Sequence, residues 1–356
     1  MENTSIVVCG EKFDIGTRVV LWDEPGGLNG YDTSASTYWT KDRKTGKSKK
    51  VTIKGKRYGK RRLLLKPTLP YLQKVVNQFV IHHSGLYRSV TTQKVLHDRG
   101  LSCQFILDDD GTLYQTMDAK ERAWHAGYNN QRSVGVEIDS RAVANRFPDA
   151  YSEKNQKRHG VGPRRKFVDM IHGRAMNGYE YSDGQYQTLI RLTKVLAEVF
   201  PLMKTPEGLY DVDFPRDSNG EIIKTEILKP LEHKGFIKHF QITDGKIDPI
   251  SLDFERLLEG VKNNNPFQER MLVGLNSWLD RQDALIQLGY DPGTPDGVFG
   301  PKTSGALKEF QKDFGLKESG QWNSETKAQL KKELKNWKVQ MESIHILSNM
   351  ADYFLI

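Results

Sequence analysis

Cysteine is nearly missing. Cys9 and Cys103 are the only two in 356 residues, too few for a disulfide framework, and neither sits in a paired metal motif. Long apolar runs are missing as well, since no segment approaches the roughly 20 residues needed to cross a bilayer. The N-terminus, MENTSIVVCGEKFD, is apolar only from Ile6 to Cys9 and has no basic stretch ahead of that run. It therefore does not read as a signal peptide, and the expectation is synthesis in the cytoplasm. Disorder is excluded by composition, with 37% hydrophobic residues against 28% charged, an ordinary globular balance. The length suffices for two domains, or three if one is small.

What is abundant is positive charge. The net value of +8 favours polyanionic partners: nucleic acid, anionic lipid, or a bacterial envelope rich in carboxylate and phosphate. The densest run spans Lys41 to Lys66, and a weaker one spans Lys157 to Lys166. The bland reading of both is a solvated loop or hairpin.

Residues 1–68 read as a β-rich extension of unassigned role, because TSIVVC, TRVVLW and KKVTIKG cluster or alternate β-branched residues between Gly-rich turns. Strands and helices alternate over 69–258. There FVIHHS, LSCQFILDDDGTLYQ and SVGVEID are strand-like, with DDDG as a tight turn. Ser182 opens a capping box, S-D-G-Q, ahead of an apolar stripe at helical spacing from Tyr186 to Phe200. Two polar stretches, 140–181 and 202–230, interrupt the pattern and read as long irregular insertions of the kind that form lids or binding loops. Residues 259–269 read as a linker, 270–337 as a small helical module, and 338–356 as a tail. Within the module, DGVFGPKTSGAL and SGQWNSETKAQL are imperfect copies of one turn-then-helix pattern, with Pro301 suited to an early helical position.

A catalytic zinc site needs about three protein ligands and an open position. One ligand can come from the histidine pair His82 and His83 at the end of a strand. Others can come from GFIKHFQITDGKIDP, where His239 closes a strand and Asp248 follows across a turn, with Lys246 placing a cation nearby. Each of these alone is more often structural. Glu137 completes the set: a carboxylate on the apolar strand SVGVEID is costly to bury unless it is paired or used, and a general base for metal-assisted hydrolysis is one such use. A structural ion pair is the alternative.

The segments FVIHHS, CQFILDDDGTLYQ, AWHAGYNN, SVGVEI and HFQITDGKIDP, in that order, resemble the zinc-dependent N-acetylmuramoyl-L-alanine amidase type 2 family, related to the peptidoglycan recognition proteins. GYDPGTPDGVFGPKTSGALKEFQKDFGL resembles the peptidoglycan-binding module often fused to cell-wall hydrolases. The resemblance implies an α/β fold with a central mixed β-sheet flanked by helices, joined to a small all-α C-terminal module and the β-rich N-terminal extension. It implies Zn2+ held by His82, His239 and Asp248, Glu137 as catalytic acid and base, and Lys246 steadying the oxyanion. His125 and Trp124 of the WHAG stretch are then expected at the substrate cleft, along with His83, which packs beside or orients its neighbour. The implied partner is bacterial peptidoglycan, with no specific nucleic acid and no membrane span, and a monomer is expected. The chain departs from the family pattern at Gln104, usually His, at Cys103, Tyr in some members, and at Lys238, often Gly. DGKIDP also lacks the Gly that often follows the Pro.

Two rivals remain at this level. One is a silent peptidoglycan-recognition protein, although silent relatives often lose a ligand and this chain keeps the set. The other is a nucleic-acid binder, although the basic run has no interleaved aromatic beyond Tyr58. The favoured context is a phage endolysin or a delivered lytic effector, acting on the wall after release.

Overall fold

The computed structural model describes residues 2–42, 44–61, 68–203, 214–262, 275, 278–293, 298–334 and 336. The chain divides into two compact units, Met1–Lys262 and Asn263–Ile356. In chain order the first unit begins with β1 (Ser5–Val8), β2 (Glu11–Asp14), β3 (Val19–Leu21), β4 (Ser36–Lys41), β5 (Ser48–Ile53) and β6 (Tyr58–Gly59). There follow α1 (Leu69–Leu72), β7 (Gln78–His83), α2 (Ser89–Asp98), β8 (Phe105–Leu107), β9 (Leu113–Gln115), β10 (Arg122–Ala123) and β11 (Ser133–Ile138). The unit closes with α3 (Glu153–His159), β12 (Lys166–Ile171), β13 (Arg174–Tyr179), α4 (Asp183–Val199), β14 (Gly235–Lys238), α5 (His239–Ile242) and α6 (Phe254–Lys262).

Six of these strands form one mixed sheet in the order β14-β7-β11-β8-β9-β3. The β14, β7, β11 and β8 neighbours are parallel, β8 and β9 are antiparallel, and β3 adds in parallel to β9. The fold is thus the expected α/β arrangement, a central mixed sheet with flanking helices. Central parallel strands are buried on both faces and so are nearly all apolar. Phe79, Val80 and Ile81 on β7 and Val134 and Val136 on β11 are fully buried. A polar residue in such a strand is the exception.

α4 covers one face of the sheet. Its capping box forms as the sequence predicts: Ser182 Oγ accepts from the Gln185 N–H at 3.0 Å, and Gln185 Oε1 accepts from the Ser182 N–H at 3.1 Å. Tyr186, Leu189, Ile190, Leu192, Leu196 and Ala197 then bury the apolar stripe. In the DDDG turn Gly111 has φ +89°, and a Cβ there would lie 2.9 Å from the Gly184 carbonyl oxygen. Only glycine fits between this turn and the helix start.

Three boundaries differ from the sequence reading. The N-terminal stretch contributes β3 to the central sheet, and its β1 and β3 side chains join the main core. The stretch 140–181 is ordered, with α3 and a β12–β13 hairpin whose turn residues His172 (φ 50°) and Gly173 (φ 70°) have the paired positive φ of a tight hairpin. α6 runs through Lys262, so the first four residues of the expected linker are helical, and Val261 is fully buried. Residues 204–213 of the second insertion, 263–269 of the linker and the tail 338–356 lie outside the described residues.

In the second unit the helices Trp278–Gln287, Pro301–Asp313 and 324–334 enclose Leu285, Leu307, Phe310, Leu330 and Leu334. The repeat visible in sequence has a structural counterpart. Gln282 Nε2 donates to the Val298 carbonyl and to Thr303 Oγ1, and Gln311 Nε2 donates in the same way to the Gln321 carbonyl and to Thr326 Oγ1. Each glutamine ties one helix to the turn and first residues of the next.

Candidate metal centre

The site is built where parallel strands end. In the β7–β11 register His82 stands opposite Glu137. Alternation along β7 then sends His82 to one face and His83 to the other. His239 is the first residue of α5, directly after β14, the other neighbour of β7. The loop that follows α5 returns Asp248 to the same point, where its carbonyl accepts from the Phe240 N–H at 3.0 Å.

Three donor atoms converge. His82 Nδ1 lies 2.9 Å from His239 Nδ1 and 3.1 Å from Asp248 Oδ2, and His239 Nδ1 lies 2.8 Å from the same oxygen. They form the one group of three His, Cys, Asp or Glu side chains with metal-ligand geometry among the described residues. Their protonation suits a cation. Burial, and then the His239 imidazole, bring the pKa of His82 down to about 4. Burial opposes ionisation of Asp248, yet hydrogen bonds from His239 and His82 outweigh it and hold that carboxyl well below its usual range. Two imidazole nitrogens and a carboxylate, largely buried and facing one another, fit Zn2+.

Behind these donors His82 Nε2 meets His125 Nδ1 at 2.9 Å, and His125 Nε2 approaches Ser133 Oγ at 3.4 Å. Ser133 Oγ in turn donates to the Asn129 carbonyl at 2.9 Å. With a metal on His82 Nδ1, its Nε2–H would donate to His125 Nδ1, the kind of outer contact that fixes a ligand's tautomer. Gly135 makes room, because a Cβ at that position would lie 2.6 Å from His125 Cε1.

Glu137 is half-buried, and among the described residues its carboxylate accepts no hydrogen bond. Burial, followed by repulsion from Asp248 and Asp139, pushes it well above the usual carboxylate range, against Lys246 and Arg99. Lys246 is half-buried on the loop before Asp248, and its carbonyl accepts from His172 Nε2 at 2.9 Å. The hairpin turn of the first insertion thereby holds the Asp248 loop.

His83 serves that loop from the other side of β7, with Nδ1 accepting from the Ile250 N–H at 3.2 Å and lying 3.4 Å from the Tyr181 hydroxyl. Trp124 is half-buried and anchored by its backbone to Ser102. A cavity of about 500 Å³ opens beside His239, walled in part by Ala126, Tyr128, Leu228, Pro230 and Leu231.

The positions that depart from the family pattern are each accommodated. Gln104, fully buried, accepts from the Gly135 N–H at 2.9 Å and donates to the Glu121 carbonyl at 3.0 Å. Cys103 packs in the core beside Gly135. Lys238 is fully buried, and its Nζ lies 3.0 Å from the ring centre of Phe254 and about 5 Å from those of Phe214 and Phe240. Three aromatic faces stand in for a hydrogen-bond acceptor there.

The sequence profile of the N-acetylmuramoyl-L-alanine amidase family matches residues 72–250, half of the chain. The chain belongs to this family. A second profile, the putative peptidoglycan binding domain, matches 276–330. The first unit is thus a peptidoglycan amidase and the second a wall-binding domain. No curated protein matches. Similar solved structures include a selenomethionine derivative of AmpD, at 18% identity and a TM-score of 0.33 over 58% of this chain and 90% of that one. Others are an endolysin amidase from Clostridium intestinale, at 14% and 0.31 over 52% and 83%, and an endolysin from a Thermus scotoductus bacteriophage, at 13% and 0.30 over 53% and 86%. Among the described residues no helix of the amidase is long and apolar enough to cross a membrane.

Sequence reasoning did not single out Ser133, Gly135, Asp139 or His172. The V-G-V-E spacing was the available signal for Gly135, since a glycine inside a strand marks close approach by another group.

Proposed function

We propose that the chain is a zinc-dependent enzyme that hydrolyses the amide bond between N-acetylmuramic acid and the L-alanine of the stem peptide. The convergence of His82, His239 and Asp248 beside Glu137, which has no hydrogen-bond partner among the described residues, carries this reading. His82 Nδ1, His239 Nδ1 and Asp248 Oδ2 would hold the ion. When bound, zinc supplies a Lewis acid and lowers the pKa of water.

The remaining steps belong to the chain. Glu137, raised in pKa and without a hydrogen bond from the described residues, takes the proton of the attacking water and passes it to the departing L-alanine nitrogen. Lys246 stands over the developing oxyanion, where removing one donor typically costs about 10²-fold or more in turnover. His125 orients His82, His83 holds the Asp248 loop through Ile250, and Trp124 lines the cleft. Peptidoglycan is held by the second unit, raising the local concentration of scissile bonds. An endolysin, or an effector delivered to the wall, is the setting that joins these two activities.

The test is mass spectrometry of products released from purified sacculi with zinc, with chelator, and with zinc restored. Free stem peptides beginning at L-alanine, lost on chelation and regained with zinc, are expected. Sacculi that bind the protein and stay intact in all three conditions would reject the enzyme reading in favour of a recognition protein.

A further inference from the structure

The β4–β5 hairpin has two unlike faces. Its inner face is half-buried: Tyr38, Thr40, Val51 and Ile53 turn inward, Ser36 Oγ donates to the His97 carbonyl at 3.2 Å, and Ile53 lies against Gly100 at the end of α2. Its outer face carries Thr37, Trp39 and Lys41 on one strand and Ser48, Lys50 and Thr52 on the other, all exposed. In the register Trp39 stands directly opposite Lys50. Trp39 is 70% exposed, and every other described tryptophan is partly buried.

The span from Lys41 to Lys60 is nearly one-signed, although Asp32 and Asp98 share a cavity wall with Thr37 at one end of the hairpin. Lys41, Lys44, Lys47, Lys49, Lys50, Lys54, Lys56 and Lys60 are exposed on the hairpin and the turn after it. Asp42 is the one acidic residue in that span, and it is taken up by Lys49 at 3.1 Å and by the N–H groups of Lys44 and Thr45. A solvated charged arm accounts for the lysines but leaves the indole unexplained. An apolar ring with one polar edge, set among ammonium groups, matches the interface of an anionic bilayer, where indoles sit at headgroup level and lysines meet phosphates. A linear polyanion would neutralise the lysines and leave the indole in water. A nucleic-acid strand would need further aromatic platforms for successive bases, and the outer face offers Trp39 alone.

We propose that the outer face of the β4–β5 hairpin docks the protein on anionic phospholipid surfaces, with Trp39 entering the headgroup layer and the lysines around it meeting lipid phosphates. The site lies outside the stretch matched by the amidase profile and is independent of the hydrolytic reaction.

The experiment is cosedimentation of the full chain with vesicles of phosphatidylcholine alone and with phosphatidylglycerol at about one part in four. Binding to the anionic vesicles only is expected, falling about tenfold or more between low salt and about 0.5 M NaCl. Trp39→Ala and the double change Lys41→Glu with Lys50→Glu should each weaken binding about tenfold or more. Both should leave hydrolysis of a soluble muropeptide and the circular dichroism spectrum unchanged, since the altered side chains are exposed. Equal binding to both vesicle types would overturn the proposal. So would wild-type binding by Trp39→Ala, or single-stranded DNA that competes with the vesicles and binds Trp39→Ala as tightly as the parent.

Discussion

Glu137 and Asp139 stand two residues apart at the end of β11, and the protein treats them in opposite ways. Asp139 is fully buried and accepts from three hydroxyls, Ser84 at 2.6 Å just after β7, and Ser89 at 2.6 Å and Thr92 in the first turn of α2, which tie the strand end to both. Glu137 faces the metal cluster and accepts nothing from the described residues. Burial raises the pKa of both. The difference lies in what offsets that cost. At Asp139 the fold supplies the donors, so the residue contributes to stability. At Glu137 the described residues supply no donor, and the carboxylate is left free to take a proton.

The largest effect should separate the two roles. Glu137→Gln is expected to lower turnover on a soluble muropeptide by about 10²- to 10⁴-fold. Bound zinc and the unfolding midpoint should stay within error of the parent. Asp139→Ala should do the reverse. It strands the buried hydroxyls of Ser89 and Thr92 and frees the half-buried Ser84, which at about 1 kcal/mol for each buried group amounts to about 2 kcal/mol of stability or somewhat more, while the folded fraction keeps its activity per molecule. A Glu137→Gln enzyme with near-parental turnover, or an Asp139→Ala protein of unchanged stability but lost turnover, would invert the comparison.

The contrast also separates what was legible in the sequence from what was not. Strand identity, the capping box at Ser182, the helical repeat and the candidate ligands rest on local patterns, because each is a run or spacing within a few residues. Partners across the fold left no such mark. β3 is three residues long and pairs with β9 more than ninety positions away, so local periodicity announces the strand and not its neighbour. The basic run hid two exceptions. Arg57 donates to the Ser34 and His97 carbonyls and to Ser36 Oγ. Arg61 donates to the carbonyls of Ala119, Glu121, Asn130, Gln131 and Ser133. Both are buried, and both pin the N-terminal stretch to the amidase unit, with Arg61 reaching the segment that carries His125. In a string of lysines and arginines nothing local tells a caged guanidinium from a solvated one. Asp139 was overlooked for a related reason, since its three hydroxyl partners lie some fifty residues upstream.

The next effect concerns the other end of the same strand. His125→Ala removes the acceptor for His82 Nε2–H and should weaken zinc affinity about 10- to 100-fold, as loss of an outer contact commonly does. Competition with a chelating indicator reads this without reference to turnover. Ser133→Ala, one step further out, should have a smaller effect in the same direction. Unchanged affinity in His125→Ala would reduce its contact with His82 to packing.

The smallest effect is a slope. The Asp139 carboxyl is raised to about 7 by burial, against an unfolded value of about 4. Between those two values the folded protein holds a proton that the unfolded chain has released. Stability therefore falls as pH rises from about 4 to about 7 and levels off above, the reverse of an acid whose folded pKa is depressed. Asp139→Asn cannot titrate, and its amide oxygen can still accept from Ser84, Ser89 or Thr92. Denaturant unfolding of parent and variant at about pH 5 and about pH 7.5, both without metal, should show a difference that narrows or changes sign toward the higher pH. Asp109 contributes to both proteins alike, whereas Glu137 loses the repulsion of Asp139 in the variant, so the same pair of pH values is also run on Glu137→Gln with and without Asp139→Asn. Parallel pH dependences in the two proteins would mean that the three hydroxyls hold Asp139 ionised throughout, leaving Glu137 as the one carboxyl of the pair that the fold holds above its usual range.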